Sequence, residues 1–263
     1  MKNDKIACFF TGGYTEACGY MQVFLSRIND SFFYEQCMPN SVRKKKGTPK
    51  KLEDCYNGVT GHALISKVYE FLKKSFIMDR FNKGAYKGIL IEDDLDGRFD
   101  YLNEEQIESY ENDIRKNIAD ILGKTYPVFF VYASPEAESW FLSDWNNGFG
   151  HLFSQSVYFD EYSASERKKF SLNVKKNIEY GLLKKNTVCV ESYAHADDGS
   201  YRKLSDDIFS LIEKQNIKNH VAFSYSKSLH GSQMLKQIEP DKVRKKCNIY
   251  FNRSYLALKN ANV

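Results

Sequence analysis

Short apolar runs alternate along the chain with stretches in which apolar residues recur every three or four positions. The first kind reads as buried strands and the second as amphipathic helices. Residues 5–11 predict a strand, Gly12 and Gly13 a turn, and residues 15–28 a helix with Ala17, Met21, Phe24, Leu25 and Ile28 on one side. Phe32 to Met38 predicts a second strand, followed by a loop over 39–57. Residues 61–75 return to helical spacing through Leu64, Ile65, Val68, Phe71 and Leu72. The run Ile89-Leu90-Ile91 predicts a strand that stops in Glu92-Asp93-Asp94-Leu95-Asp96-Gly97. A long helix is expected over 103–123 and a further strand over 126–133, and beyond Pro135 the pattern is mainly helical, with weaker strands at 187–190 and 221–224. Strands alternating with helices imply an α/β fold, a mostly parallel sheet flanked by helices. The chain predicts one domain, with a core over about 1–147 and a helical addition over about 148–263.

Charge and composition change this picture little. The 263 residues carry a net charge of +4, too small to mark a nucleic-acid binder without a local patch. Cys8, Cys18, Cys37, Cys55, Cys189 and Cys247 are widely spaced with no Cys-x-x-Cys, so they read as reduced thiols of a cytoplasmic protein. No apolar run approaches membrane-spanning length.

Ligands of parallel sheets bind where strands end and loops converge. Three strand ends carry acids: Glu16 behind Gly12-Gly13-Tyr14-Thr15, the Asp94/Asp96 cluster, and Glu136 with Glu138 in Ser134-Pro135-Glu136-Ala137-Glu138. Crowded carboxylates repel one another unless a cation neutralises them, and Mg²⁺ or Mn²⁺ is the natural partner of oxygen ligands. Strand alternation would point Asp94 and Asp96 to the same side. The bland alternative is a strand running into an acidic turn at Gly97, with Glu16 and Glu138 as ordinary helix-start residues. The five histidines are scattered and offer no pair at metal-ligand spacing. Basic residues gather at Arg43, Lys44, Lys45, Lys46, Lys50 and Lys51, and again at Lys242, Arg244, Lys245, Lys246 and Arg253, where they could neutralise phosphates or simply be solvated.

The order of a glycine turn with Thr-Glu, a strand ending in Asp-x-Asp-Gly, and a later Glu-x-Glu-x-Trp-x-Leu-x-Asp resembles the TOPRIM-like domains of bacterial defence loci. The closest likeness is to an uncharacterised family related to the nuclease half of overcoming-lysogenization-defect proteins. Tyr225-Ser226-Lys227, Gly231 and Arg244 to Cys247 extend it over most of the chain. The resemblance implies a TOPRIM-like core and a metal-dependent nuclease, acting on DNA or RNA in anti-phage defence with an ATPase partner. It makes Glu16, Asp94 and Asp96 metal ligands and catalytic residues, Glu136 or Glu138 the later acid, and Lys227 the basic residue near the scissile phosphate. One departure stands out: Gly12 occupies the place of the family's principal glutamate, so either Glu16 or Glu92 substitutes, or the site has decayed. The alternative is therefore a non-catalytic nucleic-acid-binding or regulatory subunit. A phosphatase or nucleotide kinase is disfavoured, because neither Asp-x-Asp-x-Thr nor GxxxxGK[ST] occurs.

Overall fold

The computed structural model describes residues 4–11, 13–17, 19–39, 58–155, 159, 161–182, 190–193, 203–219, 223 and 225–262. Four parallel strands form one sheet in the order β2-β1-β3-β4, from β1 (Asp4–Phe9), β2 (Phe32–Met38), β3 (Gly88–Asp94) and β4 (Val128–Ala133). The central strands are apolar over most of their length because both faces of the sheet are covered, while β2 at the edge carries Glu35 and Gln36 and β3 ends in three acids. Ile6, Cys8, Leu90, Val131 and Ala133 point into one core, while Ala7, Phe9, Ile89, Ile91, Phe130 and Tyr132 point into the other.

The second of these cores is closed by α3 (Gly61–Leu72), α4 (Ser75–Asn82) and α5 (Glu104–Leu122). Helix α5 has the ends its sequence predicts. Asn103 and Gln106 form a reciprocal capping box, and Gly123 at φ 67° supplies the left-handed terminus. The predicted helix over 61–75 ends at Leu72, and α4 begins at Ser75.

On the first face lie α2 (Tyr20–Ser26), α6 (Glu138–Ser143), α7 (Phe149–Ser154), α8 (Ala164–Asn177), α9 (Leu204–Asn219), α10 (Ser232–Gln237), α11 (Pro240–Lys246) and α12 (Tyr250–Lys259). The C-terminal helices share a core with the sheet: Phe24 stacks on Trp140 at 5.1 Å, and Phe251 lies 5.0 Å from Trp140. Helix α12 is fixed at its start by the buried Glu191, whose Oε2 accepts from the N–H groups of Ile249 and Tyr250 and whose Oε1 accepts from that of Phe251.

Two expectations are corrected. The helix predicted over 15–28 is broken into α1 (Tyr14–Ala17) and α2, with Gly19 between them at φ 87°, a conformation open to glycine and costly to other residues. Val190, expected in a strand, lies in a single 3₁₀ turn, Val190–Ser192. Residues 187–189 and most of 221–224 fall outside the described residues, as do the basic loop with Arg43, Lys44, Lys45, Lys46, Lys50 and Lys51, and Gly12. Cys8, Cys37 and Cys247 are buried free thiols. Among the described residues, no helix is long and apolar enough to cross a membrane.

Candidate functional site

The carboxyl ends of β1, β3 and β4 open into a cavity of about 360 Å³ whose lining includes Glu16, Asp94, Asp96, Glu136, Glu138 and Lys227. All six residues that the sequence nominates for chemistry therefore meet in one place. Lys203 and Thr60, which no motif marks, also line it.

Each acid arrives by a different local device. Glu16 sits on the single turn α1 directly after β1. A Cβ on Gly13 would overlap Glu16 Oε2, so the glycine leaves room for that carboxylate to fold back over the turn. Glu136 and Glu138 follow the end of β4. Asp96 is presented in a way the strand pattern does not foresee: β3 ends at Asp94, and Asp96 lies in the following turn at φ 48°. Its backbone N–H donates to Pro135 O at 2.9 Å, and its Oδ2 accepts from Thr60 Oγ1 at 3.0 Å. Asp94 and Asp96 thus reach the same cavity through a turn and not through strand alternation.

The alternating pair on β3 is Glu92 and Asp94, which share the face of Leu90. Glu92 is completely buried; its Oε2 accepts the Thr11 N–H at 3.0 Å, while its Oε1 makes no hydrogen bond. Asp94 Oδ1 is buried and also without a hydrogen bond. Asp93 points to the opposite face, where it accepts from the Gly61 N–H at the start of α3 and pairs with Arg98 at 2.6 Å. The acidic run is therefore divided by the pleat into a structural carboxylate and two that lie at or behind the cavity.

Lys227 answers part of this charge. Its Nζ lies 2.5 Å from Glu136 Oε2 and 3.4 Å from Glu138 Oε2. Glu136 also accepts from the N–H and hydroxyl of Ser205, and Glu138 Oε1 accepts from the Tyr225 hydroxyl at 3.1 Å. The lysine is held by carboxylates instead of standing free for a phosphate, as the resemblance had implied.

Burial dominates the protonation chemistry. It pushes Glu16 up to about 7, with Glu138 and Glu136 adding repulsion and Lys227 opposing it. Asp94 is driven well above the carboxylate range by burial and by Glu92, Glu16, Glu136 and Glu138. Glu92 is raised by burial and by Glu16, and Glu138 by burial against the pull of Lys227. For Lys227, burial favours the neutral form, but Glu138 and Glu136 outweigh it and hold the ammonium charged. Neighbouring carboxylates that raise one another in this way favour any added positive charge.

The donor set consists of oxygen atoms, suited to a hard divalent cation, and the unbonded oxygens of Glu92 and Asp94 are the sort that such an ion satisfies. Among the described residues, however, no group of three or more His, Cys, Asp or Glu side chains is arranged to hold a metal ion. The side chains have the composition of a metal centre, while Glu136 and Glu138 are already served by Lys227. Arg244, Lys245 and Lys246 do not line this cavity; they lie on α11, where Arg244 pairs with Asp241 at 2.7 Å. No family model, curated protein or solved structure matches this chain.

Proposed function

We propose that the acidic cavity is the centre of a metal-dependent nuclease of TOPRIM type. The observation that carries this reading is the convergence of Glu16, Asp94, Asp96, Glu136 and Glu138 with Lys227 at the ends of parallel strands. Asp94, Glu16 and one of the glutamates beside Lys227 would hold Mg²⁺ or Mn²⁺ once that glutamate leaves the lysine and the three carboxylates draw together, since they are not so arranged in this structure. Such an ion, when bound, polarises a phosphate and lowers the pKa of a water.

The remaining work falls to this chain's own groups. Before any ion binds, burial holds the Glu16 carboxyl near 7, so it can take up or release a proton at neutral pH as the site is filled or emptied. Lys227 is charged and keeps 46% side-chain exposure, so it can turn from Glu136 toward a phosphate and neutralise charge that develops there. Thr60 holds Asp96 in place by its hydroxyl. The resemblance extends the proposal to nucleic acid as substrate, to anti-phage defence and to an ATPase partner.

A second reading is favoured by one specific observation. The Lys227 pairs offset part of the charge of Glu136 and Glu138 without any metal, as suits a regulatory or nucleic-acid-binding subunit whose centre no longer cuts.

Incubation of the full chain with plasmid, single-stranded DNA and tRNA, in Mg²⁺, Mn²⁺ or chelator, separates the two. The nuclease reading expects metal-dependent cleavage that Asp94→Asn and Glu138→Gln each abolish. Cleavage unchanged in both variants would assign the activity elsewhere, and binding without cleavage under every condition would establish the regulatory reading.

A further inference from the structure

A second cleft lies at the far end of α6 from Glu138. One chamber, about 360 Å³, is formed by α7 and α8, with Trp145 and Phe153 among its apolar lining and Leu172, 46% exposed, at its wall. The adjoining chamber, about 270 Å³, is lined by Lys175, Lys242, Lys245 and Lys246 against a single carboxylate, Asp144. Trp145, Asn146 and Lys175 line both, so the two chambers adjoin as one cleft; Arg167 and Lys168 also line the α7–α8 chamber, which makes the cleft basic along its length, with its apolar wall in that chamber.

Three of the lysines are loosely engaged. Lys175 lies 3.7 Å from Glu179, Lys242 3.9 Å from Asp144 and Lys245 3.8 Å from Asp241, all near the outer limit of an ion pair. Exposed pairs of this kind are worth little and are readily exchanged for a more highly charged partner. Asp144 is meanwhile bound by the Glu239 N–H at 2.9 Å and by Asn147 Nδ2 at 2.7 Å, so it has partners other than lysine.

We propose that this cleft binds a nucleoside polyphosphate, with its base in the α7–α8 chamber and its phosphates among Lys175, Lys242, Lys245 and Lys246. Four lysines and a single carboxylate line this small chamber, and Glu179 and Asp241, outside the lining, meet Lys175 and Lys245 only at 3.7 and 3.8 Å, so the excess of positive charge suits the concentrated charge of a di- or triphosphate. A nucleic-acid strand spreads its charge at one per nucleotide and would need cations along its whole path. The combined size suits a mononucleotide. The site is distinct from the acidic cavity and does not depend on the nuclease reading.

Calorimetric titration of the full chain with ATP, pyrophosphate and adenosine tests this. ATP should bind in the micromolar range, with pyrophosphate and adenosine each weaker by about tenfold or more. The exposed triple substitution Lys242→Ala, Lys245→Ala, Lys246→Ala should weaken ATP by about tenfold or more. Leu172→Asn should weaken ATP and adenosine while leaving pyrophosphate unchanged, and Asp94→Asn should leave all three unchanged. Circular dichroism confirms that each variant is folded. Absence of ATP binding at millimolar concentration overturns the proposal, as does full affinity in the triple variant or loss confined to Asp94→Asn. Binding of a single-stranded oligonucleotide that ATP does not displace, lost in the same triple variant, would make the cleft a strand track and overturn it too.

Discussion

The backbone N–H of Thr11 donates to Glu92 Oε2 at 3.0 Å, and the Thr11 hydroxyl donates to Glu92 O at 3.3 Å. Thr11, two residues beyond β1, thereby locks the acidic end of β3 in register and keeps Glu92 pressed behind Asp94. The fold holds mutually repelling carboxylates together in this way, and that tension makes the site testable.

Glu16 should make stability fall as pH rises. Its carboxyl is raised from an ordinary 4.5 to about 7, so the folded chain holds the proton more tightly than the unfolded one. The resulting stabilisation is complete below pH 4.5 and is lost between there and about 7, an effect of about 3 kcal/mol. Glu16→Gln removes this loss. Thermal melts at pH 5 and pH 8 should show the variant gaining on wild type at the higher pH, and parallel curves would mean that Glu16 titrates normally.

Replacing Lys227 by methionine leaves Glu136 and Glu138 buried without their cation. The cost at pH 8 should be about 1–2 kcal/mol, less than for a fully buried pair because Lys227 is partly solvated. Lowering the pH to 5 should restore part of the loss by protonating Glu138, whose carboxyl burial raises. A loss equal at both pH values would point to packing instead.

Adjacent aspartates should respond in opposite ways. Asp93→Ala removes the acceptor of the Gly61 N–H and the partner of Arg98, and should cost about 2–4 kcal/mol in chemical denaturation without affecting Mn²⁺ binding. Asp94→Asn relieves repulsion from Glu92 and Glu16, and should raise stability while abolishing Mn²⁺ binding measured by calorimetry. Destabilisation by both substitutions would contradict the division of the acidic run between the two faces.

Glu191→Gln should loosen α12. The carboxylate accepts three backbone N–H groups at the helix start, at 2.7, 3.2 and 2.8 Å, and a neutral amide has one oxygen to offer them. A loss of about 2–3 kcal/mol is expected, with faster amide exchange across Tyr250–Lys259. Exchange confined to its wild-type rate would show that packing on β4 alone holds the helix.

Periodicity determined the parallel α/β character, all four strands and the extent of α5, because strand and helix patterns are written locally. It also marked every acid that the cavity gathers, since each follows a strand and strand ends of a parallel sheet converge. What local sequence does not carry is direction and neighbourhood. The run Glu92-Asp93-Asp94 reads as one cluster, yet the pleat sends Asp93 to α3 and leaves Glu92 and Asp94 on the other face, and the turn at Asp96 breaks the alternation expected of it. Lys227 lies far along the chain from Glu136, so only tertiary packing decides that its charge is spent on a buried glutamate. Lys203 carries no motif, and Lys175 meets the lysines of α11 only because α8 folds back beside them. Contacts of that separation depend on how the helices stack upon the sheet, and no period or spacing encodes them.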